Sequence, residues 1–389
     1  MRVAFFLLSF SLQLFCKMLD VQVTAKSAIL MNGETGAILF EKDAYNKAYP
    51  ASTTKIATAL FALEKGIDLN ATVTVSGECL RGRPLKDREQ YPPHWLDPDG
   101  TMMGLKRGEV VTYDSLLHGL MLVSGNDAAN VIAETMAGSV PRFMEMLNEY
   151  LIGLGCRGTQ FRNPHGLSHP EHFSTAYDLA LIAKKALQFP KFRQVVSTLC
   201  YKKPKTNKQP ETELRLTNPL LKPKSEHFYA KAIGVKTGYT AASQDTLVAA
   251  AEHQGRVLIA VILGCEKKGE RYAEAKRLFE AAFAEEKEKR RLMGPETVFS
   301  QPLEGKVLKA SPAKELTIEY FPAEEPKCKA ALHWSCTELP VRKGERVGEV
   351  IIRDENGREL LKETLVATET VKADFFYMLK QKVLKWLKL

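Results

Sequence analysis

In the stretch "PASTTKIATAL", residues 50–60, Ser52 and Lys55 stand three apart at the front of an apolar, alanine-rich run. A serine hydroxyl is a poor nucleophile until a neighbouring base takes its proton. Residues three apart share one helix face, so the Lys55 amine can reach the Ser52 oxygen. A lysine works as that base only when neutral, a state that burial and nearby positive charge favour. The start of a helix adds the positive end of its dipole beneath the serine. On its own, Ser-x-x-Lys is equally the front of an ordinary capped helix. The chemistry needs partners.

Two later stretches supply candidates. "LVSGNDAAN" puts Ser124 and Asn126 between two helical stretches, where the hydroxyl can bond the lysines and relay a proton and the amide can hold a peptide-like substrate. Ser-Gly-Asn-Asp also favours a plain turn. "GVKTGYT" puts Lys236, Thr237 and Gly238 on an expected strand. Lys236 and Thr237 can bind a carboxylate there, and Gly238 leaves a strand edge open to substrate backbone. A solvated lysine beside a turn glycine would read the same way. Each signal is weak alone, and the ordered set carries the reading.

Residues this far apart need a scaffold to bring them together. "SAILMNGETGAILFEK" (27–42) reads as two strands joined by a glycine-containing turn, and Ser52 to Gly66 as a helix. Residues 77–100, rich in proline and charge, read as a long exposed loop. Helices follow in "TYDSLLHGLMLVSGNDAANVIAETMAG", "VPRFMEMLNEYLIGLG" and "TAYDLALIAKKALQF", then a lysine-rich surface stretch at 202–224. "AIGVKTGYT" and "DTLVAAAEHQGRVLIAVILGCEK" read as strands turning near Gln254-Gly255, ahead of a helix at 270–289. Strands bracketing helices suit one antiparallel sheet built from both ends of the domain, with helices packed on it. From about residue 293 the runs become short and alternating, as in a small all-β domain.

With these segments in place the chain resembles the low-molecular-mass penicillin-binding proteins that act as serine-type D-Ala-D-Ala carboxypeptidases, the S11 peptidases. The likeness lies in "AKSAILMNGETG", "PASTTK", "SGNDAA", "FRNPHGL" and "KTGYT", spread over about residues 26–285. The trio matches the S-x-x-K, S-D-N and K-T-G set of penicillin-interacting enzymes. It implies an α+β penicillin-binding/β-lactamase-like domain, a small β-sandwich and an amphipathic C-terminal helix. The corresponding division is a signal peptide at 1–25, a catalytic domain at 26–292, a β domain at 293–370 and the helix at 371–389.

The resemblance also implies roles. Ser52 is the acylated nucleophile, Lys55 its general base, and Ser124 assists proton transfer to the departing D-alanine. Asn126 binds the substrate amide, Lys236 contributes positive potential, and Thr237 helps bind the terminal carboxylate. The backbone N–H groups of Ser52 and Tyr239 form the oxyanion hole, and Arg271 stands near the substrate carboxylate. His165 in "NPHGL" reads as a loop-organising residue. The implied partners are peptidoglycan stem peptides ending in D-Ala-D-Ala and β-lactam antibiotics, with no metal and no cofactor. The chain departs from the family after "KTGYT", where Ser243 in "AASQD" replaces a glycine, and in the length of the 77–100 loop.

The rest of the sequence sets the compartment. "MRVAFFLLSFSLQLFCKMLDVQVTA" opens on an arginine, runs apolar from Val3 to Phe15 and ends on small residues, as an export leader cut after Ala25 would. The expected location is extracytoplasmic, on the outer face of the cytoplasmic membrane. The formal charge of +9 suits anionic wall polymer or lipid. Without zinc-ligand spacing, an RNA-binding aromatic pattern or a phosphate-cradling glycine loop, nucleic acid is not the expected partner. Six cysteines follow the leader, of which Cys328 and Cys336 are close enough in sequence to bridge a hairpin.

In the tail, Phe375, Phe376, Leu379, Val383, Trp386 and Leu387 fall within an arc of roughly 120°. Lys380, Lys382, Lys385 and Lys388 take the remaining surface, the pattern of a helix lying in a membrane interface. Three other readings stay open. A class A β-lactamase would need a water-activating glutamate, for which Glu145 in "FMEMLNEYL" is the candidate. An endopeptidase would cut D-amino-acid crosslinks with the same machinery. A non-enzymatic wall-binding module would need none of it.

Overall fold

The computed structural model describes Leu7–Leu8, residues 18–86 and residues 88–386. Most of the expected leader, together with Leu387 and Lys388 of the tail, lies outside the described residues, as does the side chain of Lys385. Residues 18–284 and 285–389 form separate compact units.

The first unit is built on a five-stranded antiparallel sheet. Its order is Ile38–Lys42, Ser27–Asn32, Arg256–Cys265, Gln244–His253 and Ala232–Thr240. The middle strand "RVLIAVILGC" is buried along its whole length. Helices cover both faces, which is why it reads as a continuous apolar run instead of an alternating one: α5 (Ala176–Ala186) packs on it, as does α7 (Glu270–Phe283). Helix α1 (Lys55–Glu64) is the hub of the helical layer, packing against α2 (Tyr113–Leu122), α3 (Asn126–Ala137), α4 (Val140–Gly153) and α5. Its Ile56, Leu60 and Phe61 are buried in the main core. A shorter helix, α6 (Pro190–Ser197), packs on the edge strand Ala232–Thr240.

The α+β architecture expected from the sequence is the one observed, and several local readings change. Ser52 sits on a 3₁₀ turn, Ala51–Thr54, that leads into α1. In that tighter geometry residues i and i+3 eclipse each other, which brings Ser52 and Lys55 more directly into line than an α-helix would. The 77–100 segment is ordered against the helices: Arg83 and Asp97 form a buried ion pair of 2.7 Å, and Cys79, His94 and Leu96 are buried. Its proline and charge spell irregular backbone, and irregular backbone need not be exposed. A hairpin, Cys200–Lys203 with Thr212–Arg215, runs into the stretch read as surface. It is pinned by a buried 2.9 Å pair between Lys203 and Glu109.

The helix expected through residue 289 stops at Phe283. The charged run that follows is a strand, Glu288–Met293, paired with Leu316–Tyr320. This strand falls in the second compact unit, which takes in the chain from Glu285 on. Alternating charge reads as an exposed helix face, but pairing to a partner strand decides the conformation. This unit also carries a sheet in which Lys329–Trp334, Arg346–Arg353, Glu359–Ala367, Lys306–Pro312 and Phe299–Leu303 are successive neighbours. Cys328 and Cys336 flank the strand Lys329–Trp334, so about 20 Å of extended chain separates them. A disulfide needs Cα atoms within about 7 Å. The two cannot pair.

Helix α8 (Phe375–Trp386) is held on this unit by Tyr377, which is buried and whose hydroxyl accepts the Leu339 N–H at 3.2 Å. Phe375, Phe376, Leu379, Val383 and Trp386 all remain exposed. Among the described residues no helix is long and apolar enough to cross a membrane.

Candidate active site

Three separated stretches meet at the front of α1. Lys55 Nζ lies 3.0 Å from Ser52 Oγ, 2.7 Å from Asn126 Oδ1 and 2.6 Å from the His165 carbonyl. Lys55 is fully buried, while Ser52 remains partly open to solvent. Burial first, and Lys236 next, hold the Lys55 amine well below its ordinary range, against the opposing pull of Asp127. A neutral amine has two N–H donors and one lone pair. Two of its three partners are carbonyl oxygens that only accept, so the lone pair is left for the Ser52 hydroxyl, which can donate to it. That is the geometry of a base aimed at a nucleophile.

The turn carrying Ser52 is clamped between two glycines. A Cβ on Gly166 would stand 1.9 Å from the Ala51 oxygen, and one on Gly238 would stand 2.9 Å from Ser52 N. Ala51 itself has a left-handed φ of +50°, strain of the kind that gathers at functional sites. Gly166 belongs to "FRNPHGL", a loop fixed by Asn163, whose side chain accepts from Gly166 N at 2.7 Å and donates to the Leu167 carbonyl at 2.8 Å. The His165 ring accepts from Leu167 N through Nδ1, so its Nε2–H donates to the His94 carbonyl at 3.2 Å. Burial, followed by Lys55, holds this ring well below its ordinary pKa, and it stays neutral.

Ser124 has a left-handed φ of +62° and is nearly buried, but its hydroxyl has no hydrogen-bond partner among the described residues. The bond to the lysines expected of Ser124 is absent, and Asn126 contacts Lys55 instead. This loop is set by Asp127, the second residue of α3. Its carboxylate accepts from Met103 N, Gly104 N and Leu105 N at 2.8–3.0 Å, and from Ala128 N at 2.9 Å. Neighbouring backbone adds Asn126 N to the Thr101 carbonyl at 2.8 Å. The 94–105 segment is thus wired to both groups that hold Lys55. Sequence reasoning missed Asp127, Asn163 and Gly166, although "SGND" before a helix and "NPHG" are turn signatures.

Lys236 and Gly238 are buried on the outermost strand, with Thr237 half-buried and Tyr239 exposed. Burial, then the neighbouring Arg271, hold the Lys236 amine down to about 7. Arg271 donates to the Gly238 carbonyl at 2.7 Å and pairs with Asp245 at 2.9 Å, so it braces this strand while already charge-compensated. Ser243 closes the turn that follows by accepting from Thr240 N at 2.9 Å, and Gln244 takes the left-handed φ of +55°. Glu145 sits on the exposed face of α4, paired with Arg142 at 2.8 Å. It cannot activate a deacylating water, and the class A β-lactamase reading loses its glutamate.

A buried amine on a serine, beside a second lysine on an open strand edge, defines an active-serine acyl-transfer site on an α+β scaffold. The family model described as D-alanyl-D-alanine carboxypeptidase matches residues 16–267. The chain is 30% identical to D-alanyl-D-alanine carboxypeptidase DacF of Bacillus subtilis over 94% of its own length and 90% of that protein. It is 32% identical to DacA of Haemophilus influenzae over 68% of its length and 63% of that protein. Penicillin binding protein 5 from Haemophilus influenzae superposes with a TM-score of 0.63 at 27% identity, covering 92% of this chain and 100% of that one. The Streptomyces K15 DD-transpeptidase superposes at 0.60 and 30% identity, over 68% and 99%. The chain belongs to the D-alanyl-D-alanine carboxypeptidase family of serine hydrolases.

Proposed function

We propose that this protein is a serine DD-carboxypeptidase that removes the terminal D-alanine from peptidoglycan stem peptides. The observation that carries the reading is the Lys55 amine at 3.0 Å from Ser52 Oγ with its other two directions taken by carbonyl acceptors.

Ser52 Oγ attacks the carbonyl of the D-Ala–D-Ala bond as its proton passes to Lys55 Nζ. The oxyanion is met by the N–H groups of Ser52 and Tyr239. Lys236, in its charged form, and Thr237 hold the terminal carboxylate, and Asn126 holds the peptide amide. The proton now on Lys55 passes to the departing amine by way of the Ser124 hydroxyl, which gives up its own proton and takes the lysine's as the C–N bond breaks, so Lys55 is neutral again. Water, deprotonated by Lys55, then releases the acyl group from Ser52. A β-lactam ring enters the same first step and leaves slowly.

Exposed aromatic residues on α8, beside Lys380 and Lys382, support a tail lying in a membrane interface. Together with the leader pattern, this supports a location at the outer face of the cytoplasmic membrane. Two measurements test the catalytic reading. Labelled penicillin should mark the wild type and not Ser52→Ala, and a stem pentapeptide should lose one D-alanine by mass. Labelling of both proteins refutes the nucleophile, and an intact pentapeptide refutes the activity.

A further inference from the structure

The segment ahead of the first strand is built into the catalytic unit. Ala25 is fully buried and Val23 nearly so. Leu19 N donates to the Leu39 carbonyl at 2.9 Å, and Lys42 Nζ donates to the Val23 carbonyl at 3.0 Å. Most telling is Glu274 on α7, whose carboxylate is fully buried. It accepts from Thr24 N, from Thr24 Oγ1 at 2.7 Å and from Ala25 N at 3.1 Å. Arg271 lies three residues earlier on the same helix, hence on the same face, and it grips the Gly238 carbonyl. One stretch of α7 is therefore fastened to the N-terminal segment by Glu274 and to the substrate-binding strand by Arg271.

A cut after Ala25, where the small-residue pattern points, would remove every backbone donor this carboxylate has. Cys265 Sγ at 3.4 Å and Arg277 at 3.8 Å would be its remaining neighbours. Stripping a buried carboxylate of its hydrogen bonds is among the costlier changes a folded protein can undergo. We infer that residues 18–25 stay in the mature protein as a brace for α7, and that the leader is removed on the N-terminal side of Met18. The processing step rests on the export reading given above.

The full chain, expressed in a host that exports it and recovered outside the cytoplasm, is examined by N-terminal sequencing and intact mass. A first residue at or before Met18 is expected. A first residue at Lys26 overturns the inference and leaves export standing. A cytoplasmic chain that keeps Met1 overturns the export reading and the processing step with it. The brace has its own test in Glu274→Leu, which keeps a side chain of similar size but removes the acceptor shared by Thr24 N, Thr24 Oγ1 and Ala25 N. Its melting temperature should fall by roughly 5 °C, and penicillin acylation measured well below melting should slow severalfold as Arg271 loosens. Wild-type melting and acylation in this variant would overturn the brace.

Discussion

Substituting Gly166 with alanine probes how the nucleophile is held. A Cβ there would meet the Ala51 oxygen at 1.9 Å, while real Cβ contacts essentially never fall below 3.0 Å. The turn must therefore retreat by about 1 Å from the loop. That loop also fixes the base, since the His165 carbonyl beside Gly166 accepts from Lys55 Nζ at 2.6 Å. Moving the Ser52 turn while the amine stays put lengthens the Ser52–Lys55 contact, and a misplacement of about 1 Å typically costs on the order of 10²-fold in rate. The positive φ of +95° adds about 1 kcal/mol of backbone strain for any residue with a Cβ. Gly255→Ala separates the two effects: its φ is +75° and nothing lies within 4 Å of an added Cβ. The assay is the second-order rate of acylation by labelled penicillin, with melting temperature measured alongside. Gly166→Ala should lose roughly two orders of magnitude in acylation, and Gly255→Ala should lose only stability. If the two variants behave alike, the clamp on the nucleophile does not exist.

Lys236 predicts a pH dependence. Its amine is held down to about 7, so the charged form that grips the substrate carboxylate is lost as pH rises through that value. The rate constant kcat/KM on a D-Ala-D-Ala peptide should decline above about pH 7, and Lys236→Arg, charged throughout, should remove that limb; an unchanged limb in the arginine variant would count against the assignment. Asp127→Asn should cost about 2–3 kcal/mol in stability, measured by denaturant unfolding, because an amide would set N–H groups against backbone donors now accepted by a carboxylate. Deleting residues 371–389 should move the protein from the membrane to the soluble fraction, and continued membrane association would end the interfacial-helix reading.

Much of this site was legible because its key element is local. Ser52 and Lys55 are three residues apart, and any helical winding brings them together. The central strands were legible too, since "RVLIAVILGC" must be buried whichever helices cover it. The less visible parts are contacts whose partners lie far apart along the chain. Gly166 is as plain a turn residue as Gly255 by composition, and only packing against Ala51 distinguishes them. The 77–100 segment has the makeup of a solvent loop, yet the Arg83–Asp97 pair folds it inward.

The same distinction explains why it is Asn126, and not Ser124 as the sequence suggests, whose side chain meets Lys55. Both are polar, both sit in a turn, and either can bond an amine. The choice is made by Asp127, which gathers the N–H groups of Met103, Gly104 and Leu105 and fixes the start of α3. With the helix start held, the first side chain of α3, Asn126, meets Lys55. Ser124, two residues outside the helix and in a left-handed conformation, is left with a hydroxyl that has no hydrogen-bond partner among the described residues. That leaves the pair complementary to the needs of acyl transfer. Burial and Lys236 keep the base neutral, the amide acceptor aims it, and an uncommitted hydroxyl is available when the leaving amine needs a proton.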